Sequence, residues 1–256
     1  MHQIDAFFID FCYNNIIKGD TMQRYFAKEK NNNDFILYDT DLHHIKNVMR
    51  YKVDDKIEVV YDKQVYICQI TNLEPLELNV ISINKENNEL NINLTIAISL
   101  VNEQKFDLIL QKLTELGVSK VIPMKTERSI VKLDNKKELK KIDRWQKICK
   151  EASEQSHRCV VPKVENIISL KELINRNNEL KLICSLNENT KSLNTYLKDK
   201  PKDILIAIGP EGGFTKQEEE LLINNNFLPT TLGKRVMRVE TAAIYVTSII
   251  NYICEG

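Results

Sequence analysis

The sequence predicts an α/β protein in two parts: a small β-rich domain over residues 1–84, then a mostly parallel sheet covered by helices on both faces over residues 85–256. Three observations carry this. Before residue 84 the apolar runs are short, β-branched or alternating, and separated by polar turns. From residue 90, apolar strands alternate with segments of helical periodicity, the pattern of parallel strands joined by crossovers. Four of the chain's seven glycines fall between residues 209 and 233, where they mark backbone that turns sharply or lies against a ligand.

In the first part, Phe35–Tyr38, Asp55–Tyr61, Val65–Ile70 and Leu76–Ile83 read as strands of a small barrel, interrupted by a helical stretch around Leu42 to Met49. The polar run Asn84–Glu89 is the domain boundary. Leu94–Leu100 is then a strand, and Phe106, Leu110, Leu113 and Leu116 lie at helical spacing before Gly117, which suits the position just past a helix end. Val121–Met124 is a short strand, a helix surrounds Ile142 to Ser153, and strands follow at Val164–Ile168, Leu180–Ser185 and Ile204–Ile208. Thr215-Lys-Gln-Glu218 matches a capping box and opens a helix through Leu221 and Leu222. The last helix runs from about Glu240 to Tyr252, with Ala243, Val246, Ile249 and Ile250 toward the core.

At 256 residues and 43% apolar content the chain can bury a full core. Ile4 to Phe11 is too short, and too interrupted by Asp5 and Asp10, for a signal peptide, and no apolar run approaches a membrane span. Six cysteines without a C-x-x-C pair and only four histidines argue against a disulfide framework or a metal site; free thiols in a reducing cytoplasm are expected. His43 and His44, as adjacent residues, would not face one metal on a helix. Net charge is zero, which disfavours a general nucleic-acid binder, yet residues 125–163 hold 12 Lys/Arg against 6 Asp/Glu. Residues 1–100 hold 10 against 15. The basic segment either lines a polyanion path or forms a solvated helix face, because Lys136, Lys137, Lys140, Lys141, Arg144 and Lys147 recur at roughly helical spacing.

The first glycine loop, Gly209-Pro-Glu-Gly-Gly-Phe214, lies between a buried strand and a helix start, where open α/β sheets bind ligands and bare N–H groups are available. It lacks the Gly-Lys-Ser/Thr of a P-loop, and its spacing does not fit G-x-G-x-x-G. A tight turn with a fortuitous Gly-Gly is the plain alternative, but a second loop at Leu232-Gly233, also followed by helix signals, favours a shared ligand site.

Ile208-Gly-Pro-Glu-Gly-Gly-Phe214, Leu232-Gly-x-Arg-Val-Met-Arg-x-Glu-Thr-Ala242, and Glu151-Ala-Ser-Glu-Gln-Ser-x-Arg158 with Pro162 resemble three signature blocks of the ribosomal RNA small subunit methyltransferase E family. Lys105-Phe-Asp through Gly117, Glu127-Arg-Ser129, Trp145 and His44-x-x-x-Val-Met-Arg50 extend the resemblance over nearly the whole chain. One departure is that Asp5-Ala6 stand where the family has an arginine before its first aromatic strand. The resemblance implies a PUA-like barrel followed by a SPOUT methyltransferase domain whose C-terminal segment forms a trefoil knot. It also implies a homodimer, and S-adenosylmethionine as methyl donor to N3 of a uridine in small-subunit ribosomal RNA, within the small subunit. The implied cofactor contacts are Ile208, Gly209, Pro210, Gly212 and Gly213 in the first loop. The second loop adds Leu232, Gly233, Val236, Met237, Thr241 and Ala242, and Leu186, after another strand, forms a third wall. His44, Arg50, Lys105 and Arg128 are the implied RNA contacts.

Uridine N3 carries a proton at neutral pH, so its methylation needs a base, a group that stabilises negative charge on the pyrimidine, and alignment of the reacting atoms. Glu154 and Glu240 are the candidate bases, and Arg158 and Arg238 the candidate charge stabilisers. Glu240 is equally a helix-start carboxylate favoured by the dipole, and either arginine is equally a structural partner of the glutamates. Two other classes stay open at this stage: a nucleotide hydrolase, which would need Lys and Mg²⁺-ligand motifs the chain lacks, and an RNA-binding module without catalysis.

Overall fold

A computed structural model of the chain describes residues 22–31, 34–85, 87–129, 135–185 and 190–255, excluding the side chains of 135–137 and 255. It divides into two compact units, Met1–Glu86 and Asn87–Gly256.

In the first unit, β1 (Arg24–Phe26), β2 (Glu29–Asn31) and β3 (Asp34–Ile36) precede a helix, α1 (Asp39–His43), that widens into a π turn over His44–Val48. Then come β4 (Lys56–Tyr61), β5 (Gln64–Leu73) and β6 (Leu76–Asn84). The strand order is β1-β4-β5-β6, with β1 parallel to β4 and the other neighbours antiparallel, while β2 and β3 form a separate ribbon. These described pairings are an open order. Tyr25, Ile45, Ile57, Val59, Cys68 and Ile70 form the buried centre. The stretch Ile4–Phe11 lies outside the described residues. The first described strand carries Arg24 directly ahead of Tyr25 and Phe26. Arg24 is 3% exposed and pairs with Glu58 on β4 at 2.7 Å.

The second unit contains β7 (Asn93–Ser99), α2 (Glu103–Glu115), β8 (Lys120–Lys125), α3 (Asn135–Gln155), β9 (Lys163–Val164), β10 (Ile168–Ser169), α4 (Leu170–Leu173) and β11 (Leu180–Cys184). It continues with β12 (Lys191–Ser192), α5 (Leu193–Leu197), β13 (Asp203–Ile208), α6 (Lys216–Asn224), β14 (Leu228–Thr231) and α7 (Val239–Glu255). The sheet order is β10-β8-β7-β13-β11-β14-β12, β9 also pairs with β8, and every pairing is parallel. Both faces are covered, which is why the central strands are unbroken apolar runs. On β13, Ile204, Ile206 and Ile208 enter the core under α2, α3 and α7, while Leu205 and Ala207 meet Leu222 and Phe227 on the opposite face.

Helix ends follow the expected chemistry. Asn102 caps α2 by accepting from Lys105 N, and Thr215 and Glu218 form a reciprocal capping box on α6. Gly117, at φ +85, ends α2, and a Cβ there would fall 2.8 Å from Leu90. The expected strand Val164–Ile168 is instead two short pieces, β9 and β10, both on the β8 edge. Sequence reading also missed β14, because Pro229 weakens any strand assignment, and missed α4 and α5, which are too short to show a period.

Candidate active site

The carboxyl ends of β11, β13 and β14 meet at one pocket, the position where open α/β sheets bind ligands. Nine of the twelve expected cofactor contacts line it: Ile208, Gly209, Pro210 and Gly213 after β13, then Leu232, Gly233, Val236, Met237 and Ala242 after β14. Leu186 lies outside the described residues. Gly212 and Thr241 are not among the lining residues. Gly212 faces Arg128, where an added Cβ would meet Cδ at 3.3 Å, and Thr241 is exposed on α7.

The first loop is a tight turn closed by a 2.8 Å hydrogen bond from Gly213 N to Pro210 O. A Cβ at Gly209 would fall 3.0 Å from Phe214 N and 3.1 Å from its ring, so glycine here lets the turn fold back onto Phe214. Gly213 and Gly233 have φ of +67 and +124, a region open to glycine, and a Cβ on either would meet nothing within 4 Å.

Cys184, Ser185, Glu211, Phe214, Thr231, Arg235 and Val239 also line the pocket and were not among the expected contacts. Glu211, Phe214 and Arg235 sit inside the signature blocks, so the signal was present; which way each side chain points was not. Burial pushes the Cys184 thiol up to about 12, which makes it a neutral wall and not a nucleophile at neutral pH. Glu211 is held below the usual carboxylate range by the hydrogen bond and the charge of Lys105, so it presents a negative charge to the pocket.

The four acid–base candidates separate into two places. Arg238 is exposed in the second loop, and Glu240 stands in the first turn of α7, directly after pocket-lining Val239. Oε2 of Glu240 is buried and has no hydrogen-bond partner among the described residues. Glu154 and Arg158 lie elsewhere. Arg158 is 4% exposed; it pairs with Glu89 and donates to Thr114 O at 3.0 Å and Val118 O at 2.9 Å, just ahead of β8. That is the amino end of the strands, about 20 Å from the pocket of this same chain, given the six residues of β13 at roughly 3.3 Å each. Glu154, at the same end of α3, pairs with Lys150 at 2.6 Å.

Glu89 completes the Arg158 clamp by accepting from Cys159 N at 2.8 Å and Val160 N at 3.1 Å. Removing one partner leaves the other charge buried, so Arg158→Ala should destabilise the fold by about 3–5 kcal/mol in urea titrations. Its cofactor affinity, measured well below the unfolding midpoint, should stay near wild type; a variant of full stability would overturn the clamp.

The expected RNA contacts also have partners inside the chain. His44 Nδ1 lies 2.9 Å from Tyr25 OH, while Arg50 is exposed at φ +55. Lys105 pairs with Glu211, and Arg128 donates to Gly212 O. In the basic segment, Lys125 pairs with Glu138, Lys141 with Glu103, and Arg144 with Glu103 and Asp107, so much of its charge is met locally. Among the described residues no cluster of His, Cys, Asp and Glu could hold a metal ion, and no helix is long and apolar enough to cross a membrane.

A parallel α/β domain with glycine turns framing a pocket at its strand ends is an architecture that binds ligands at that edge, and family comparison assigns the class of RNA methyltransferases. Residues 88–251 match the RNA methyltransferase domain family, and residues 37–81 match the RNA methyltransferase PUA domain. The chain is 37% identical to the ribosomal RNA small subunit methyltransferase E of Bacillus subtilis (strain 168), covering 91% of this chain and 98% of that protein. It is 36% identical to the Mesomycoplasma hyopneumoniae (strain 232) protein of the same name, covering 88% and 97%. The crystal structure of the Neisseria gonorrhoeae ribosomal RNA small subunit methyltransferase E bound to S-adenosyl methionine superposes with a TM-score of 0.83 at 32% identity, covering 91% and 98%. The chain belongs to the ribosomal RNA small subunit methyltransferase E family.

Proposed function

We propose that this protein transfers a methyl group from S-adenosylmethionine to N3 of a uridine in small-subunit ribosomal RNA. The observation that carries the reading is the joining of two glycine loops, one after β13 and one after β14, into one pocket. The residues present fit the cofactor. Ile208, Leu232, Val236, Met237 and Ala242 supply apolar surface for an adenine ring, and Gly213 and Gly233 leave space where a side chain would project. Glu211 offers negative charge suited to a cation. When bound, S-adenosylmethionine supplies an electrophilic methyl group on a sulfonium.

The chain's own residues must remove the N3 proton and stabilise the pyrimidine anion. Glu240 accepts that proton in this scheme. Its buried, unpartnered oxygen beside the pocket wall is the kind of acceptor that an incoming N–H donor would satisfy. Arg238 stabilises the developing negative charge, and its exposure leaves it available to a docked base.

The first unit acts as a PUA-like RNA-binding barrel over residues 1–84, and residues 85–256 form the SPOUT catalytic domain. The sheet order supports a trefoil knot, since β14 lies between β11 and β12, which are consecutive in sequence. A homodimer is supported by α7, where Thr241, Tyr245, Ser248 and Tyr252 share one face and the two tyrosines are 40% and 81% exposed. The protein works in the cytoplasm on small-subunit RNA.

Calorimetry with S-adenosylmethionine against ATP tests the cofactor, and mass-spectrometric mapping of modified uridines in ribosomal RNA from a deletion strain tests the product. Loss of no methyl group from that RNA would refute the reading. RNA affinity should fall steeply with salt as phosphate contacts release counterions, and Arg50→Glu should weaken it further. Because Lys141 is already paired with Glu103, reversing Lys140 and Lys141 should do less than reversing Arg50. Filter binding across a salt series checks the order, and a larger loss from the lysine pair would move the RNA path onto α3.

A further inference from the structure

The Pro210–Gly213 turn is held by two cations that belong to other strand ends. Lys105, in the first turn of α2, pairs with Glu211. Arg128, in the turn after β8, donates Nη1 to the carbonyl of Gly212. The turn carrying Arg128 is itself well fixed. Thr126 N donates to Ser129 Oγ at 3.0 Å, Ser129 N donates to Thr126 O at 3.0 Å, and Thr126 Oγ1 donates to Ser99 Oγ at 3.2 Å. Next to it, Glu127 N donates at 2.8 Å to Oε1 of Glu218, whose Oε2 accepts from Thr215 N at 2.9 Å. The turns after β7, β8 and β13 are thereby tied into one unit. Gly212 fits this arrangement, since a Cβ there would press on Arg128 Cδ at 3.3 Å. Glycine at 212 makes room for the arginine, while glycine at 213 faces open space.

We propose that Arg128, with Lys105 as a weaker second tie, is a positioning residue that preforms the cofactor-binding turn. The inference rests on the reading of that turn as a wall of the S-adenosylmethionine site. A turn rich in glycine samples many conformations, so a binding-competent one must be selected before ligand arrives or ordered when it does. These two ties fix the turn whose Gly209, Pro210, Glu211 and Gly213 line the pocket. The arginine bond is charge-assisted and aimed at a fixed carbonyl; the lysine pair is half exposed and contributes less.

Four variants in the full-length protein test this: Arg128→Ala, Arg128→Lys, Gly212→Ala, and Arg128→Ala combined with Gly212→Ala. Arg128→Ala should raise the KM for S-adenosylmethionine roughly tenfold, the scale of one hydrogen bond to a charged group. Arg128→Lys should recover part of the loss. Gly212→Ala should weaken cofactor binding in the wild-type background and add nothing once Arg128 is gone. Independently of any ligand, hydrogen exchange of peptides covering residues 209–215 should speed up in Arg128→Ala. Unchanged exchange and unchanged KM overturn the proposal, and a fall in RNA affinity with both unchanged makes Arg128 an RNA contact instead. If the wild type binds no S-adenosylmethionine, the functional reading fails while the exchange measurement still decides whether Arg128 orders the turn.

Discussion

Gly233→Val is expected to abolish S-adenosylmethionine binding in calorimetry while the protein keeps a cooperative unfolding transition. Two effects act together. The φ of +124 at this residue excludes a β-branched side chain, so the second loop must shift to accept valine. A Cβ there meets no protein atom within 4 Å, and the residue lines the pocket, so even an unshifted loop would fill space the ligand needs. The loop is a connection between β14 and α7, and the core cluster beneath is untouched, which is why the fold survives. Gly212→Val should also weaken binding, through displacement of Arg128 and not through contact with the cofactor. Wild-type affinity in Gly233→Val would remove the second loop from the cofactor site.

Glu240→Gln should retain S-adenosylmethionine binding and lose on the order of 10²–10⁴ in single-turnover methylation rate, the usual contribution of a general base. The substitution preserves shape and removes the ability to take a proton, at a side chain whose buried oxygen lacks a partner among the described residues. Raising the pH should partly restore this variant, because solvent then ionises the uridine without help. Arg238→Ala should differ by losing rate at every pH, since the anion needs stabilising however the proton departs. The same substitution at Glu154 should leave the rate near wild type, because in this chain that carboxylate lies at the opposite end of the strands and is bound to Lys150. A near-wild-type rate in Glu240→Gln would leave water, or electrostatic lowering of the uridine pKa, as the route for the proton.

The legible parts of this protein are those governed by local chemistry. Alternating and apolar runs marked β4, β5, β6, β7, β11 and β13, and Thr215 with Glu218 marked the start of α6, because periodicity and capping are properties of neighbouring residues. The illegible strands fail for equally local reasons: β14 contains Pro229, while β9 and β10 have two residues each. Among the charged residues, spacing could not distinguish a solvated cation from a paired one. Lys141 and Arg144 find Glu103 on another helix, and Arg24 finds Glu58 on another strand.

The sequence by itself determined that two glycine loops follow apolar strands and that the chain carries the signature blocks of its family, and it offered Glu154 and Glu240 as candidate bases and Arg158 and Arg238 as candidate charge stabilisers. Only the tertiary structure decided how these divide. Parallel strands place all their carboxyl ends at one edge, which joins residues from β11, β13 and β14 into a single pocket and sets Arg238 and Glu240 beside it. The same geometry sends the end of α3 back to the amino edge, where Arg158 is bound to Glu89 and to the carbonyls of Thr114 and Val118. Direction along a strand is invisible in a list of residues, and it is what separates an arginine beside the pocket-lining loop from one bound at the amino edge.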